Sequence, residues 1–286
     1  VSFQTFTKLS KFRKRERSKL AKRLKGYDFT RNPHKLISMK IISLNKSNLP
    51  SEHICCALAD AKNQPGVALK KQWLEARMDE GLVFKKMDVL GKVFIEYMPA
   101  ELAWRPVEAP GYLFIHCLWV SGKYQGHGYA AQLLNACLSD AENKNGVAVI
   151  CGEKPFLTGK KFFLKNGFEI CDTAPPYFEL LVKKFNRDTA FTRFYPQAKS
   201  LEIADKQGLV IYYSDQCPFV YLYKNEMAEA AMERGIKVEM LKINTAAEAQ
   251  NMASAYGTFQ VFLNGKFLTH QLMSRSGFGK LLDKLA

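Results

Sequence analysis

The chain has 286 residues, 47% hydrophobic and 12% aromatic, which suffices for a sizeable core and at this length points to two domains. No apolar run reaches membrane-spanning length, and seven cysteines without CxxC spacing argue for reduced thiols in a cytoplasmic compartment, not for a disulfide scaffold. The net charge of +15 sits mostly at one end: residues 1–38 hold 12 Lys or Arg against Glu16 and Asp28, leaving +5 for the other 248 residues.

The basic stretch at residues 12–25 has few apolar side chains and reads as a flexible extension. Nucleic acid would be a partner only through residues 1–38. An Arg-rich targeting peptide is the alternative for this segment, whereas the apolar core of a secretory signal is absent. Met39 looks like a natural start leading into a first strand at residues 40–44. Helices are expected within 49–80 and strands at 83–86 and 92–98. His53, Cys55 and Cys56 are expected on one helical turn; nothing nearby completes a four-ligand spacing, so no metal site is assigned. The proline-bounded segment 104–110, with Trp73 and Trp104, is either a packing loop or the wall of an acceptor pocket.

An apolar run at 113–120, including His116, Leu118, Trp119 and Val120, then breaks into a glycine loop: Gln125, Gly126, His127, Gly128, Tyr129, Ala130. Leu133, Leu134, Cys137 and Leu138 follow at helical spacing. Without Cβ atoms, Gly126 and Gly128 let the backbone turn tightly and bring successive N–H groups to an anion at a helix N-terminus. The loop is therefore a candidate pyrophosphate cradle. The dinucleotide fingerprint fits less well, because its third glycine and the later acidic residue are missing.

Gln125, Gly128 and Ala130 match the signature of the GNAT acyl-CoA N-acyltransferases, namely Gln or Arg, two residues, Gly, one residue, then Gly or Ala. A buried strand at 147–151 and the Lys165, Asn166, Gly167, Phe168 ending of a late helix also resemble that family. The resemblance implies an α/β fold with a mixed sheet, acetyl-CoA as cosubstrate, and a small-molecule or peptide amine as acceptor. It further implies that the strands around Leu118, Trp119 and Val120 splay, so that their backbone groups pair with the pantetheine arm.

Many members carry a Tyr four residues before the helix-ending glycine to protonate the departing thiolate; here the residue is Phe163. The acid is then Tyr124, Tyr129 or Tyr177, or the thiolate leaves unassisted. For removal of the acceptor's proton the candidates are His116, which titrates in the useful range, and Glu96, on a strand expected beside the central one, with a water chain as the alternative. Glu101 and Glu153 are further carboxylates of unassigned orientation.

Residues 186–207 are polar and read as a linker, so the organisation expected is 39–185, the linker, and 208–286. The second domain is expected as strand 208–213, helix 220–234, strand 237–243, helix 246–252, a hairpin over 259–269 turned by Asn264 and Gly265, and a last helix near 278–285. This order, with Cys217 and Pro218 opening the first helix, resembles a thioredoxin-like domain; together with the segments around Glu96 and Trp119 it resembles the GNAT subgroup carrying a YoaP-type C-terminal domain. Val220 occupies the place of a resolving cysteine, and Gly257 and Thr258 that of the usual proline. Cys217 at a helix N-terminus is expected to be the reactive thiol, with a depressed pKa. The alternative to an N-acetyltransferase is a monothiol redox or ligand-binding protein with a non-catalytic GNAT half.

Overall fold

A computed structural model describes residues 40–54, 60–155, 157–186 and 191–285. The basic extension, Cys55 and Cys56 lie outside the described residues. The larger sheet has seven strands in the order β1 (Ile41–Ser43), β2 (Val83–Met87), β3 (Val93–Pro99), β5 (Tyr112–Val120), β6 (Gly146–Cys151), β8 (Phe178–Lys184) and β7 (Glu169–Ala174). A short β4 (Val107–Glu108) pairs separately with β9 (Arg193–Phe194). All neighbours in the large sheet are antiparallel except β5 and β6. Every residue of β6 is buried, as expected of a central strand covered on both faces.

The period-two alternation of β2 and β3 divides their side chains between two layers. Phe84, Phe94 and Met98 pack with Trp73 and Leu74 of helix α1 (Gln64–Met78). Lys85 and Tyr97 point the other way and both reach Asp140 of helix α2 (Tyr129–Asp140), Lys85 at 2.7 Å. A short α3 (Lys160–Lys165) follows β6. Among the described residues no helix is long and apolar enough to cross a membrane.

The smaller sheet runs β11 (Val238–Lys242), β10 (Leu209–Tyr213), β12 (Phe259–Leu263), β13 (Lys266–Thr269). β10 is parallel to β11 and antiparallel to β12. Leu209, Ile211, Phe259 and Val261 form a core with Met227 and Ala231 of α4 (Val220–Met232) and with Phe278 and Leu282 of α6 (Arg275–Asp283). A short α5 (Ala246–Gln250) links β11 to β12. The two sheets share apolar cores. Ile243 and Ala249 join the Trp73–Trp104 cluster, and Ala255 and Tyr256 join that of Phe114, Phe178 and Phe194.

Three expectations are corrected. Residues 49–51, expected within the helical region, continue turns that begin at 46, where the Asn45 side chain accepts the backbone N–H groups of Ser47 and Asn48. β7 was not anticipated: it is an edge strand, exposed enough that it lacks an apolar pattern. Within 186–207, β9 and a helical turn at Pro196–Lys199 bury Phe194 and Ala198, so the described part of this segment is packed.

Candidate active site

β5 and β6 pair only from Tyr112 and Gly146 to Ile115 and Val149. Beyond that point β5 stays paired with β3 as far as Val120, so the β6-facing edge of Leu118, Trp119 and Val120 has no strand partner among the described residues. Leu118 is buried, Val120 half-buried and Trp119 48% exposed, which puts an indole at the mouth of the gap. The Gln125 amide turns back to donate to the Val120 carbonyl at 3.0 Å. Gly126 (φ 78°) and Gly128 (φ 76°) are both left-handed, a conformation that opposes any other L residue. Gly128 is the N-cap of α2 and has no side chain to satisfy the first-turn N–H groups. Gln125, Gly126, His127 and Gly128 are exposed, Tyr129 and Ala130 half-buried, and a Cβ on Gly126 would meet no atom within 4 Å. An open loop of backbone donors beside a splayed strand pair fits the pyrophosphate and extended arm of acetyl-CoA.

The proton-transfer candidates come together where β3 pairs with β5, on the face covered by α1. Glu96 pairs with Cys117 but Tyr97 pairs with Ile115, so His116 is the extra residue of a β-bulge, a device that re-aims a side chain. Glu96 is ion-paired with Lys70 of α1, both buried. Gln216, from the turn before α4, bridges the two candidates: its Nε2 donates to Glu96 Oε1 at 3.0 Å and contacts His116 Nδ1. Its Oε1 accepts from Arg105 Nη1 at 2.9 Å. These contacts fix the amide's orientation, since a guanidinium only donates and a carboxylate only accepts. The turn is seated closely on α1, where a Cβ at Gly66 would lie 2.0 Å from the Pro218 carbonyl.

Both nitrogens of His116 face donors, Gln216 at Nδ1 and the Trp104 N–H at 3.4 Å from Nε2, so an imidazolium would find no acceptor. Burial first, then the positive charges of Arg105 and Lys70, hold its pKa well below the usual histidine range. His116 is therefore neutral at physiological pH.

Phe163 is buried and packed edge-on against Phe162 and Phe168, which makes it a core residue with no proton to give. The Tyr124 hydroxyl donates to the Leu90 carbonyl at 3.1 Å, and that of Tyr177 contacts His270 Nδ1 at 2.9 Å. Tyr129 has no hydroxyl partner among the described residues. Glu101 is committed to the Gly111 N–H, and Glu153 is exposed.

The expectation of a depressed pKa at Cys217 is corrected. The Phe219 and Val220 N–H groups do favour its thiolate, but burial outweighs them and pushes the thiol up. Burial also raises Cys117 and Cys151 to about 12 and Cys171 to about 11.

Lys70, Arg105 and Gln216 escaped the sequence reading. Lys70 had a signal, because it falls on the buried stripe of α1 with Trp73 and Leu74. Gln216 had none, its partners being 100 and 120 residues away.

Residues 50–168 match the pattern described as Acetyltransferase (GNAT) family, and residues 238–280 that described as YoaP-like. A relative described as "Uncharacterized N-acetyltransferase YoaP" of Bacillus subtilis (strain 168) is 42% identical over 252 residues, covering 87% of this chain and 100% of the relative. Similar solved structures include PH1933 from Pyrococcus horikoshii OT3, at 19% identity, 51% of this chain, 99% of that chain and a TM-score of 0.38. Another is a PaiA N-acetyltransferase from Thermoplasma acidophilum in complex with coenzyme A, at 17% identity, 52% of this chain, 100% of that chain and a TM-score of 0.39. With a 42% identical relative covered over its whole length, the chain belongs to the GNAT N-acetyltransferases that carry a YoaP-like C-terminal region, enzymes that use acetyl-CoA as acyl donor.

Proposed function

We propose that the acetyl group passes directly from acetyl-CoA to an acceptor amine in the gap between β5 and β6, with the loop 125–130 as pyrophosphate cradle. The observation that carries this reading is the end of β5–β6 pairing at Ile115 and Val149, which leaves the β6-facing edge over Leu118, Trp119 and Val120 without a strand partner among the described residues, an edge an extended arm can pair with as the Gln125 amide gives up the Val120 carbonyl. The N–H groups of Gly126, His127, Gly128, Tyr129 and Ala130 hold the phosphates, while that of Gln125 closes the preceding turn on the Gly122 carbonyl. His116, kept neutral, takes a proton from the acceptor ammonium, and the Glu96 carboxylate offsets the positive charge that then develops on the imidazole. The amine nitrogen bonds to the thioester carbon, the carbon–sulfur bond breaks, and the amide nitrogen loses its second proton to water. The thiolate takes a proton from water, or from Tyr129. A backbone N–H of β5 supports the oxyanion.

The functional unit at 39–185 is followed by one at 208–286, whose β10-α4-β11-α5-β12-β13-α6 order supports a thioredoxin-like reading. That second unit has no resolving thiol beside Cys217, and we assign it a structural role at the acceptor side of the site. A cytoplasmic setting, where acetyl-CoA is available, suits the free cysteines. The test is steady-state thiol release over a panel of amines with wild type and His116→Ala. The variant is expected to lose at least tenfold in kcat while its affinity for coenzyme A, by calorimetry, changes less than twofold. Equal kcat would move the proton to Glu96 or a water relay.

A further inference from the structure

Arg105 is buried, 6% exposed, and no carboxylate touches it among the described residues. Its three acceptors are neutral and all lie on Nη1: the Trp104 carbonyl at 2.9 Å, Gln216 Oε1 at 2.9 Å and Thr258 Oγ1 at 2.7 Å. Nε and Nη2 have no hydrogen-bond partner among the described residues, and the guanidinium lies 4.7 Å from the centre of the Tyr256 ring. Burying a cation whose contacts are all neutral is costly even with the Glu96 carboxylate acting on it through space, and an anion arriving on the guanidinium would relieve that cost.

The side chain beside it indicates what kind of anion. The Gln216 carboxamide presents its oxygen to Arg105 and its NH2 to Glu96 and His116. An amine bearing a nearby carboxylate has the same polarity, with negative charge for the guanidinium and N–H groups for the carboxylate and imidazole. The amide's own oxygen and nitrogen are only about 2.2 Å apart by standard bond lengths, so the two ends of the mimic are a few bonds from each other.

We propose that the acceptor is a compact amino acid, bound with its carboxylate on Arg105 and its amine between Glu96 and His116, in the place Gln216 fills in this structure. This inference rests on the acetyl-transfer reading above. Pro218 is seated against Gly66, so the acceptor enters by rotation of the Gln216 side chain, with the turn held in place. The smaller domain thereby supplies a neutral occupant that spares Arg105 and Glu96 an empty cavity and is displaced only by a ligand charged at both ends.

The test uses the full chain and acetyl-CoA with the common amino acids and β-alanine, each against its decarboxylated amine. The carboxylate-bearing partner is expected to be preferred at least tenfold in kcat/KM for the best pair. Gln216→Ala should lower KM for that amino acid severalfold, and Arg105→Gln should erase the preference while Arg105→Lys keeps part of it. Equal or better use of the decarboxylated partners overturns the acceptor class and leaves acetyl transfer intact. A Gln216→Ala protein with KM raised for the amino acid overturns displacement, making Gln216 a wall of the site. Should no amine turn over, calorimetry with the amino acids in the presence of coenzyme A decides. Binding abolished by Arg105→Gln upholds the subsite and sinks its use in transfer; no binding overturns the subsite.

Discussion

Lys70 and Glu96 form an ion pair in which each side chain is only 2% exposed. Two desolvated charges add little net stability, but removing one strands the other in the interior. Lys70→Met should therefore cost about 3–5 kcal/mol, and adding Glu96→Leu should recover most of it. Urea denaturation of the two variants checks this. A loss under about 1 kcal/mol for Lys70→Met would mean that the pair is reached by solvent.

The glycine loop makes a second prediction. Gly128→Val forces a β-branched residue to φ 76° and sets a side chain beside the first-turn N–H groups of α2. Affinity for coenzyme A should fall more than tenfold, about 1.4 kcal/mol or more. Calorimetry on a variant with wild-type circular dichroism is the measurement; unchanged affinity would remove the loop from the phosphate site.

What could be read from the sequence was local. The glycine loop, the central strand and the Asn264–Gly265 hairpin announce themselves because backbone freedom, period-two patterning and turn chemistry act within a few residues. His116 and Glu96 were legible as residue types on neighbouring strands, but the bulge that turns His116 is a register event between β3 and β5. The cluster that joins them depends on Gln216 and Arg105, brought together by docking of two sheets, and no periodicity encodes that. Cys217 failed for a related reason: its helix terminus was visible, whereas the burial that outweighs it is tertiary.

The low pKa of His116 sets the sign of the pH profile. The proton-accepting form is the neutral one, and it is lost only as pH falls through a pKa well below 6.5. The pH profile of kcat/KM, which reports the free enzyme, should show no histidine inflection between about pH 6 and 8, the range bracketing an ordinary histidine. Stopped-time assays across that range test it, and an inflection near 6.5 that disappears in His116→Asn would refute the assignment.

Cys217 should be slow to alkylate. Burial raises its thiol, so at pH 7 its reaction with iodoacetamide should lag behind free cysteine, then accelerate as pH rises or as the chain unfolds. Peptide mapping of timed samples gives the rate. Labelling of Cys217 as fast as a model thiol would restore the picture of a thiolate held by α4.

His270 carries the last prediction, because it clamps the two sheets. Its Nε2 lies 3.0 Å from the Pro155 carbonyl, an acceptor only, so Nε2 bears the proton and Nδ1 accepts from the Tyr177 hydroxyl at 2.9 Å. The ring is fully buried, and desolvation lowers its pKa to about 4. In the unfolded chain the value returns to about 6.5, so between these two pH values the unfolded state binds more protons and stability falls as pH is lowered. The contribution is fully present above about pH 6.5, and about 2 kcal/mol of it is gone at pH 5. His116 and His53, also shifted down by burial, add to the wild-type slope with the same sign, so the term is read as a difference between proteins. Urea unfolding of wild type and His270→Gln at pH 7.5 and pH 5 provides it. The variant should be less stable at pH 7.5 but lose about 2 kcal/mol less on acidification. Identical pH dependence in the two proteins would place the acid sensitivity elsewhere and leave His270 as a packing residue.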